Sequence, residues 1–94
     1  MSNNKPDLTI PELIADARQS QHMALREFGA AFGVSHTSVK QWEDGVASPS
    51  EDLLKTMLMD KRDWVSQLAE DIYVARYRAT LAALREAAAH SFVA

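Results

Sequence analysis

The chain has 94 residues, 47% of them hydrophobic and 24% charged, which is enough for one small domain or for a domain with an extension. The absence of cysteine excludes disulfides and thiolate metal sites, and no apolar stretch approaches the ~20 residues that span a bilayer. The formal net charge of −3 excludes a generally basic surface, and the first fifty residues carry four basic and six acidic side chains.

The first eight residues predict a flexible arm, and the residues after them predict the start of a helix. Thr9 can accept a hydrogen bond from the amide three residues on, Glu12 can reach back to the cap, and Pro11 in the first turn loses no helical hydrogen bond. Apolar side chains then recur at helical spacing. They are Ile10, Leu13, Ile14 and Ala17. The pattern predicts a first helix over about residues 10–20.

Two short helices joined by a turn are predicted next. Gly33 ends the first of them, because glycine readily takes the positive φ of a helix C-terminus. Ser35 stands where the cap of the following helix belongs, and Gly45 ends that helix. The apolar positions of the pair are Leu25, Phe28, Ala31, Phe32, Val39 and Trp42. Two short helices separated by a glycine-containing turn form a helix-turn-helix unit.

A fourth and a fifth helix are predicted in the second half of the chain. Ser48 as a cap, Pro49 in the first turn and Glu51 three residues after Ser48 predict the start of the fourth helix. Residues 60–63, DKRD, predict a short break. No helix breaker follows from about residue 62 to residue 89, and the segment is rich in strong helix formers. Such a helix of ~28 residues would be ~42 Å long.

Residues 23–50, MALREFGAAFGVSHTSVKQWEDGVASPS, resemble the Cro/phage-repressor (XRE) family of helix-turn-helix proteins. The turn Gly33-Val34-Ser35, the run Ser35-x-x-x-Val39-x-x-Trp42-Glu43-x-Gly45 and the dipeptide Pro49-Ser50 match the family pattern. The resemblance covers about residues 12–58 and implies a domain that binds double-stranded DNA. We therefore predict an all-α fold: a flexible arm at 1–8, a four-helix repressor-like DNA-binding domain at 9–58 and a long C-terminal helix at 60–90.

The resemblance also implies which side chains meet DNA. On the third helix, His36, Thr37 and Gln41 occupy base-reading positions, whereas Ser38 and Lys40 are expected at the phosphates. Glutamine can form two hydrogen bonds with adenine, and a threonine methyl can pack on a thymine methyl. Physical chemistry therefore agrees with the roles that the family assigns to this face.

Two other parts of the family pattern bear on architecture and affinity. Arg18 and Glu43 match a pair that forms an ion pair between the first and third helices of phage repressors. The family usually begins its second helix with Ser/Thr-Gln, whose glutamine contacts a phosphate, but Ala24-Leu25 stands there in this chain. The loop after Gly45 is often basic in the family and is uncharged here, so we expect a lower affinity.

The long C-terminal helix predicts dimerisation. Its length exceeds the reach of so small a core, and it carries an apolar stripe. The stripe consists of Val65, Leu68, Ile72, Ala75 and Ala79. A second copy that covered this stripe would hold two recognition helices at a fixed separation, as dimers of this motif require.

The predicted function is sequence-specific regulation of transcription, as a repressor, by a homodimer on an inverted-repeat operator. The alternative is an antitoxin-like or other protein-binding regulator whose C-terminal helix engages a protein partner, which the acidic charge and the long helix favour. No catalytic constellation is present, so we predict neither an enzyme nor a cofactor. The three histidines lie at no metal-ligand spacing, so no metal site is predicted. The polar N-terminal residues predict a cytoplasmic protein without a membrane segment.

Overall fold

The computed structural model describes residues 8–91, and these residues form five α-helices and no strand. The helices are α1 (Ile10–Ser20), α2 (Leu25–Phe32), α3 (His36–Glu43), α4 (Glu51–Leu58) and α5 (Asp63–Ser91). The predicted all-α architecture with a long C-terminal helix is confirmed. Apart from Leu8, the predicted arm at 1–8 lies outside the described residues.

Local hydrogen bonds set the starts of the helices. At the start of α1, the Thr9 hydroxyl accepts from the amide of Glu12 at 3.3 Å, and the Glu12 carboxylate accepts from the amide of Thr9 at 2.9 Å. This reciprocal arrangement satisfies two amides that the helix itself cannot pair. It also lowers the pKa of Glu12, because the backbone hydrogen bond from Thr9 favours the charged carboxylate.

The start of α4 differs from the prediction. Ser50, and not Ser48, is the cap, and its hydroxyl accepts from the amide of Leu53 at 3.1 Å. Pro49 is buried just before the helix, where its carbonyl oxygen accepts a hydrogen bond from Arg76 at 2.6 Å. Pro49 therefore lies outside the helix, and α4 starts two residues later than predicted.

One hydrophobic core joins all five helices. Its buried members are Leu13, Ile14, Phe28, Val39, Trp42, Leu54, Met57, Val65, Leu68, Ala69 and Ile72. Beside them, Phe28, Phe32 and Trp64 form an aromatic cluster with ring centroids 4.9–5.8 Å apart. The core is continuous across the boundary predicted at residues 58–60, because the first half of α5 packs on α1 and α4.

The position of α5 corrects the predicted dimer contacts. Val65, Leu68 and Ile72 are buried inside one chain, between α1 and α4, and are not open to a second copy. Ala75 is half-buried against the same core, and only Ala79 of the predicted stripe is exposed. The short helices α1 and α4 cannot cover their own apolar faces, so they take up the stripe of α5 instead.

Candidate nucleic-acid interface

The turn between α2 and α3 fixes the crossing of these helices. Gly33 ends α2 at φ +70°, a conformation that glycine adopts without strain. A Cβ atom on Gly29 would stand 2.6 Å from the carbonyl oxygen of Val34, while the Val34 amide donates to the Gly29 carbonyl at 2.9 Å. Backbone therefore lies directly on backbone at Gly29, and this position has no room for any side chain.

The inner face of α3 holds the helix against the core. Val39 and Trp42 are buried, and Ser38 and Glu43 are half-buried on either side of them. Ser35 caps the helix, since its hydroxyl accepts from the amide of Ser38 at 3.1 Å. The orientation of the opposite face of α3 is thus set by packing rather than by its own side chains.

The outer face of α3 brings together four of the five side chains expected at DNA. His36, Thr37, Lys40 and Gln41 are all exposed on it. Ser38 is the exception: it is half-buried, and its hydroxyl lies 3.2 Å from that of Ser35. The serine hydroxyl is therefore already engaged at the helix start.

Asp44 lies on the same exposed face and was not assigned a role from the sequence. The Lys40 ammonium lies 3.1 Å from the Asp44 carboxylate, one helical turn away, and both side chains are at least half exposed. The pair cancels the only formal positive charge on α3. The i,i+4 spacing of a lysine and an aspartate was the signal that could have predicted this contact.

Arg18 joins α1 to the end of α3. Its Nε atom is 2.6 Å from one carboxylate oxygen of Glu43, and its Nη2 atom is 3.1 Å from the other. A third hydrogen bond runs from Nη1 of Arg18 to the carbonyl oxygen of Met23 at 3.0 Å. The hydrogen bond with Glu43 raises the pKa of Arg18. This two-point contact, with both side chains mostly shielded from solvent, holds α3 rigidly on α1.

A second polar network, which the sequence did not reveal, anchors the loop between α3 and α4. Arg76 on α5 donates to the Ser48 hydroxyl at 3.0 Å and to the Pro49 carbonyl. The Tyr73 hydroxyl donates to the Glu51 carboxylate at 2.8 Å, which raises the pKa of Tyr73. The three-residue spacing of Tyr73 and Arg76 next to buried Ile72 is the only local signal for this network.

The amide of Ala24 marks where the chain departs from the repressor pattern. Glu27 accepts from this amide at 3.0 Å, but the alanine side chain has no oxygen with which to return a cap. Leu25 is half-buried and packs against the core. The start of α2 therefore lacks the side-chain amide that would contact a phosphate in that pattern.

No group of three metal-ligating side chains could hold an ion within residues 8–91. In the same part of the chain, no helix combines the length and the apolar character needed to cross a membrane.

Comparison with known protein families identifies the segment that carries α3. Residues 14–58 match the model of a protein family described as Helix-turn-helix. The matched segment runs from within α1 to the end of α4 and includes the whole outer face of α3. No curated protein and no solved structure matches the chain.

Proposed function

As a member of the Cro/phage-repressor (XRE) helix-turn-helix family through residues 14–58, the chain is a DNA-binding regulator of transcription, and we propose that it is a repressor that binds an inverted-repeat operator as a homodimer. The family is one of regulators and not of enzymes. A regulator of this kind works in the compartment that holds the DNA, so we propose a cytoplasmic location.

The observation that carries this proposal is the division of α3 into two faces. Val39 and Trp42 fix the helix to the core, and the opposite face offers short and medium polar side chains to solvent. The major groove of DNA admits one helix with such a face. We assign base contacts to His36, Thr37 and Gln41, because these side chains can reach base edges when α3 enters the groove.

Electrostatics limit the DNA affinity of each reading head, by which we mean the helix-turn-helix of one chain with its α3. We assign phosphate contacts to Lys40 and Ser38, but Lys40 is paired with Asp44 in the free protein. Phosphate contacts supply most of the non-specific affinity of DNA-binding proteins, so this pairing predicts weak binding by one head. Asp44→Asn should release Lys40, strengthen binding to all duplexes and steepen the dependence on salt.

The weakness of one head favours a dimer, since two heads on one operator add their binding free energies. Dimer contacts must use surface that the core leaves free, and the second half of α5 offers it. Tyr77 and Leu84 are 64% and 61% exposed there, and Ala79 lies on the same stretch. We therefore propose that the exposed part of α5 takes the role first expected of the buried residues.

Selection of binding sites from random duplex DNA with the purified protein tests the proposal. We expect an inverted repeat with roughly one helical turn between the centres of its half-sites. Gln41→Ala should then lose about 1–3 kcal/mol on the selected site and relax the preference at one base position.

Lys40→Ala and a matched control separate base reading from charge. Lys40→Ala should weaken binding to all sequences and flatten the salt dependence. Lys55→Ala, which removes another exposed positive charge, on α4, should change neither the preferred sequence nor the affinity on it. Recovery of no preferred sequence, or of the same preference with Gln41→Ala, would contradict reading by α3.

A second candidate is a protein-binding regulator of the antitoxin type. It is favoured by the acidic net charge and by the apolar side chains that α5 leaves exposed. In that case, a partner should co-purify in a fixed ratio with the wild-type chain and be lost with Leu84→Asp. The two roles can coexist, because α3 and the exposed half of α5 are separate surfaces.

A further inference from the structure

The outward face of α5, opposite the buried stripe, is continuous over most of the helix. Its positions recur at spacings of three and four residues. They are Asp63, Gln67, Glu70, Val74, Tyr77, Leu81 and Arg85. The steps from Asp63 to Val74 and from Val74 to Arg85 are each eleven residues, or close to three full turns, so the face stays on one side of a nearly straight helix.

Charge is ordered along this outward face. Its first half carries the carboxylates of Asp63 and Glu70, with Asp71 beside them, and its second half carries the guanidinium group of Arg85, with Arg78 beside it. The helix dipole favours acidic groups at the first turn and basic groups at the last turn only. Glu70, Asp71 and Arg78 lie well inside the helix, so the dipole does not account for the order.

We propose that the outward face pairs with the same face of a second copy in antiparallel orientation, with Val74 at the two-fold axis. The pairing rests on the proposed function and names the surface that joins its two reading heads. In this register Asp63 lies opposite Arg85 of the second copy, and Glu70 lies opposite Arg78. Symmetry produces each contact twice, because a two-fold interface uses the same surface on both chains.

The apolar side chains fit the same register. A groove of about 310 Å³ opens between α1 and the first half of α5, and Trp64 and Gln67 lie on its α5 side. Antiparallel pairing about Val74 brings Leu81 of the second copy over Gln67, at the edge of this groove. Leu81 is half-buried in one chain, so the pairing removes more of its apolar surface from the solvent.

A parallel arrangement would place each charge beside its own copy. Asp63 would face Asp63, and Arg85 would face Arg85, so like charges would repel at both ends of the helix pair. A different protein could take the place of the second copy only if its surface carried the opposite order of charges. A second copy of this chain in antiparallel orientation already presents that order. The charge order therefore selects a second copy in the antiparallel direction.

Disulfide cross-linking tests the register directly, because the chain has no cysteine of its own. Under mild oxidation, the Val74→Cys variant should form a covalent dimer, since the two cysteines meet at the axis. Leu84→Cys should not, since antiparallel pairing separates the two copies of this position by roughly 30 Å along the helix. A mixture of the Gln67→Cys and Leu81→Cys variants should cross-link between unlike chains.

A charge exchange provides a test without covalent chemistry. Arg78→Glu and Glu70→Arg chains should each be monomers in sedimentation at a concentration where the wild type is dimeric, and an equal mixture of the two should recover the dimer. Glu86→Arg, a charge reversal of the same size away from the outward face, should remain dimeric. Circular dichroism should show the same helix content in all of these chains, because the positions are exposed.

Three outcomes would overturn the inference. Self-cross-linking of Leu84→Cys as readily as Val74→Cys would show parallel pairing. A wild-type dimer that survives both charge reversals, with no cross-link at Val74→Cys, would show that another surface joins the copies, while the proposed function stands. A wild type that is monomeric in solution and on the selected operator would remove this pairing and the proposed homodimer together, and the Gln41→Ala experiment would still report separately on reading by α3.

Discussion

The two halves of α5 have similar helix-forming composition but different surroundings. In the first half, Val65 and Ile72 are completely buried against α1 and α4. In the second half, residues 77–90 are exposed on every side of the helix except for half-buried Leu81, and the large side chains of Tyr77 and Leu84 are mostly exposed. Helix propensity sets how far α5 extends, whereas the size of α1–α4 sets how much of it one chain can cover. The exposed half of α5 therefore contributes little to the folding of a single chain.

The largest expected difference comes from truncating one apolar side chain in each half. Ile72→Ala should lower the unfolding free energy of the chain by about 2–5 kcal/mol, because it leaves a cavity in the core. Leu84→Ala should change the unfolding free energy of the isolated chain by less than about 0.5 kcal/mol, since the side chain touches mostly solvent. Urea unfolding at low protein concentration measures both values. Equal losses would contradict the distinction between a covered and an uncovered half.

The buried part of the molecule also includes the turn before α3, where the backbone packs closely on Gly29. Gly29→Ala should cost about 1–3 kcal/mol, because the new methyl group would press on the Val34 carbonyl. Gly33→Ala meets no atom within 4 Å, so its cost should be only the strain of a positive φ, about 1–2 kcal/mol. Gly33→Asn should recover part of that cost, whereas Gly29→Asn should be worse than Gly29→Ala.

The ion pairs Arg18–Glu43 and Lys40–Asp44 allow a shielded contact to be compared with an exposed one. Arg18→Ala and Glu43→Ala should each cost about 1–2 kcal/mol, because both side chains are mostly shielded and doubly hydrogen-bonded. The double variant should lose much less than the sum, which shows coupling between the two side chains. The same cycle on the exposed pair Lys40–Asp44 should give a coupling of only about 0.3–0.5 kcal/mol. Additive losses at Arg18 and Glu43 would show that the two do not interact.

The smallest expected effect is a pH dependence at the junction where the covered half of α5 begins. Asp60 accepts hydrogen bonds from the side chain and amide of Arg62, which lower its pKa from 3.8 to about 2. The folded form therefore binds this proton less readily than the unfolded chain does. The stability that the contact adds is fully present above pH 3.8 and is lost as the pH falls through about 2. Melting curves of wild type and Asp60→Asn should differ at pH 5 and converge near pH 2; a constant difference would contradict this assignment.

The helix-turn-helix was predictable from sequence because its determinants are local. Capping residues such as Thr9, the turn glycine Gly33 and the apolar spacing of Val39 and Trp42 all act within a few residues of each other. Long-range contacts were not predictable in this way: Arg76 binds the carbonyl oxygen of Pro49 ahead of α4, and α1 and α4 bury Ile72. Periodicity identifies the apolar face of a helix but does not say which chain covers it. The Arg18–Glu43 contact was expected only from the family resemblance.

The reading surface on α3 was predictable in outline, because exposed polar residues opposite a buried face follow from helical spacing alone. The i,i+4 spacing of Lys40 and Asp44 allows an ion pair, but spacing alone does not decide whether the exposed side chains adopt the rotamers that form it. Ser38 likewise turned toward the helix start instead of toward solvent. Such details depend on competition between neighbouring polar groups, which a residue pattern does not resolve.

In the proposed complex, two α3 helices, held at a fixed separation by paired α5 helices, read one operator. Insertion of about five base pairs, half a helical turn, between the half-sites of the selected operator tests it most directly. We expect the affinity to fall to that of a single half-site, because the second head then faces the wrong side of the duplex. A further insertion that completes the turn should not restore the affinity fully. Unchanged affinity after the half-turn insertion would contradict the claim, since it would show that each head binds independently.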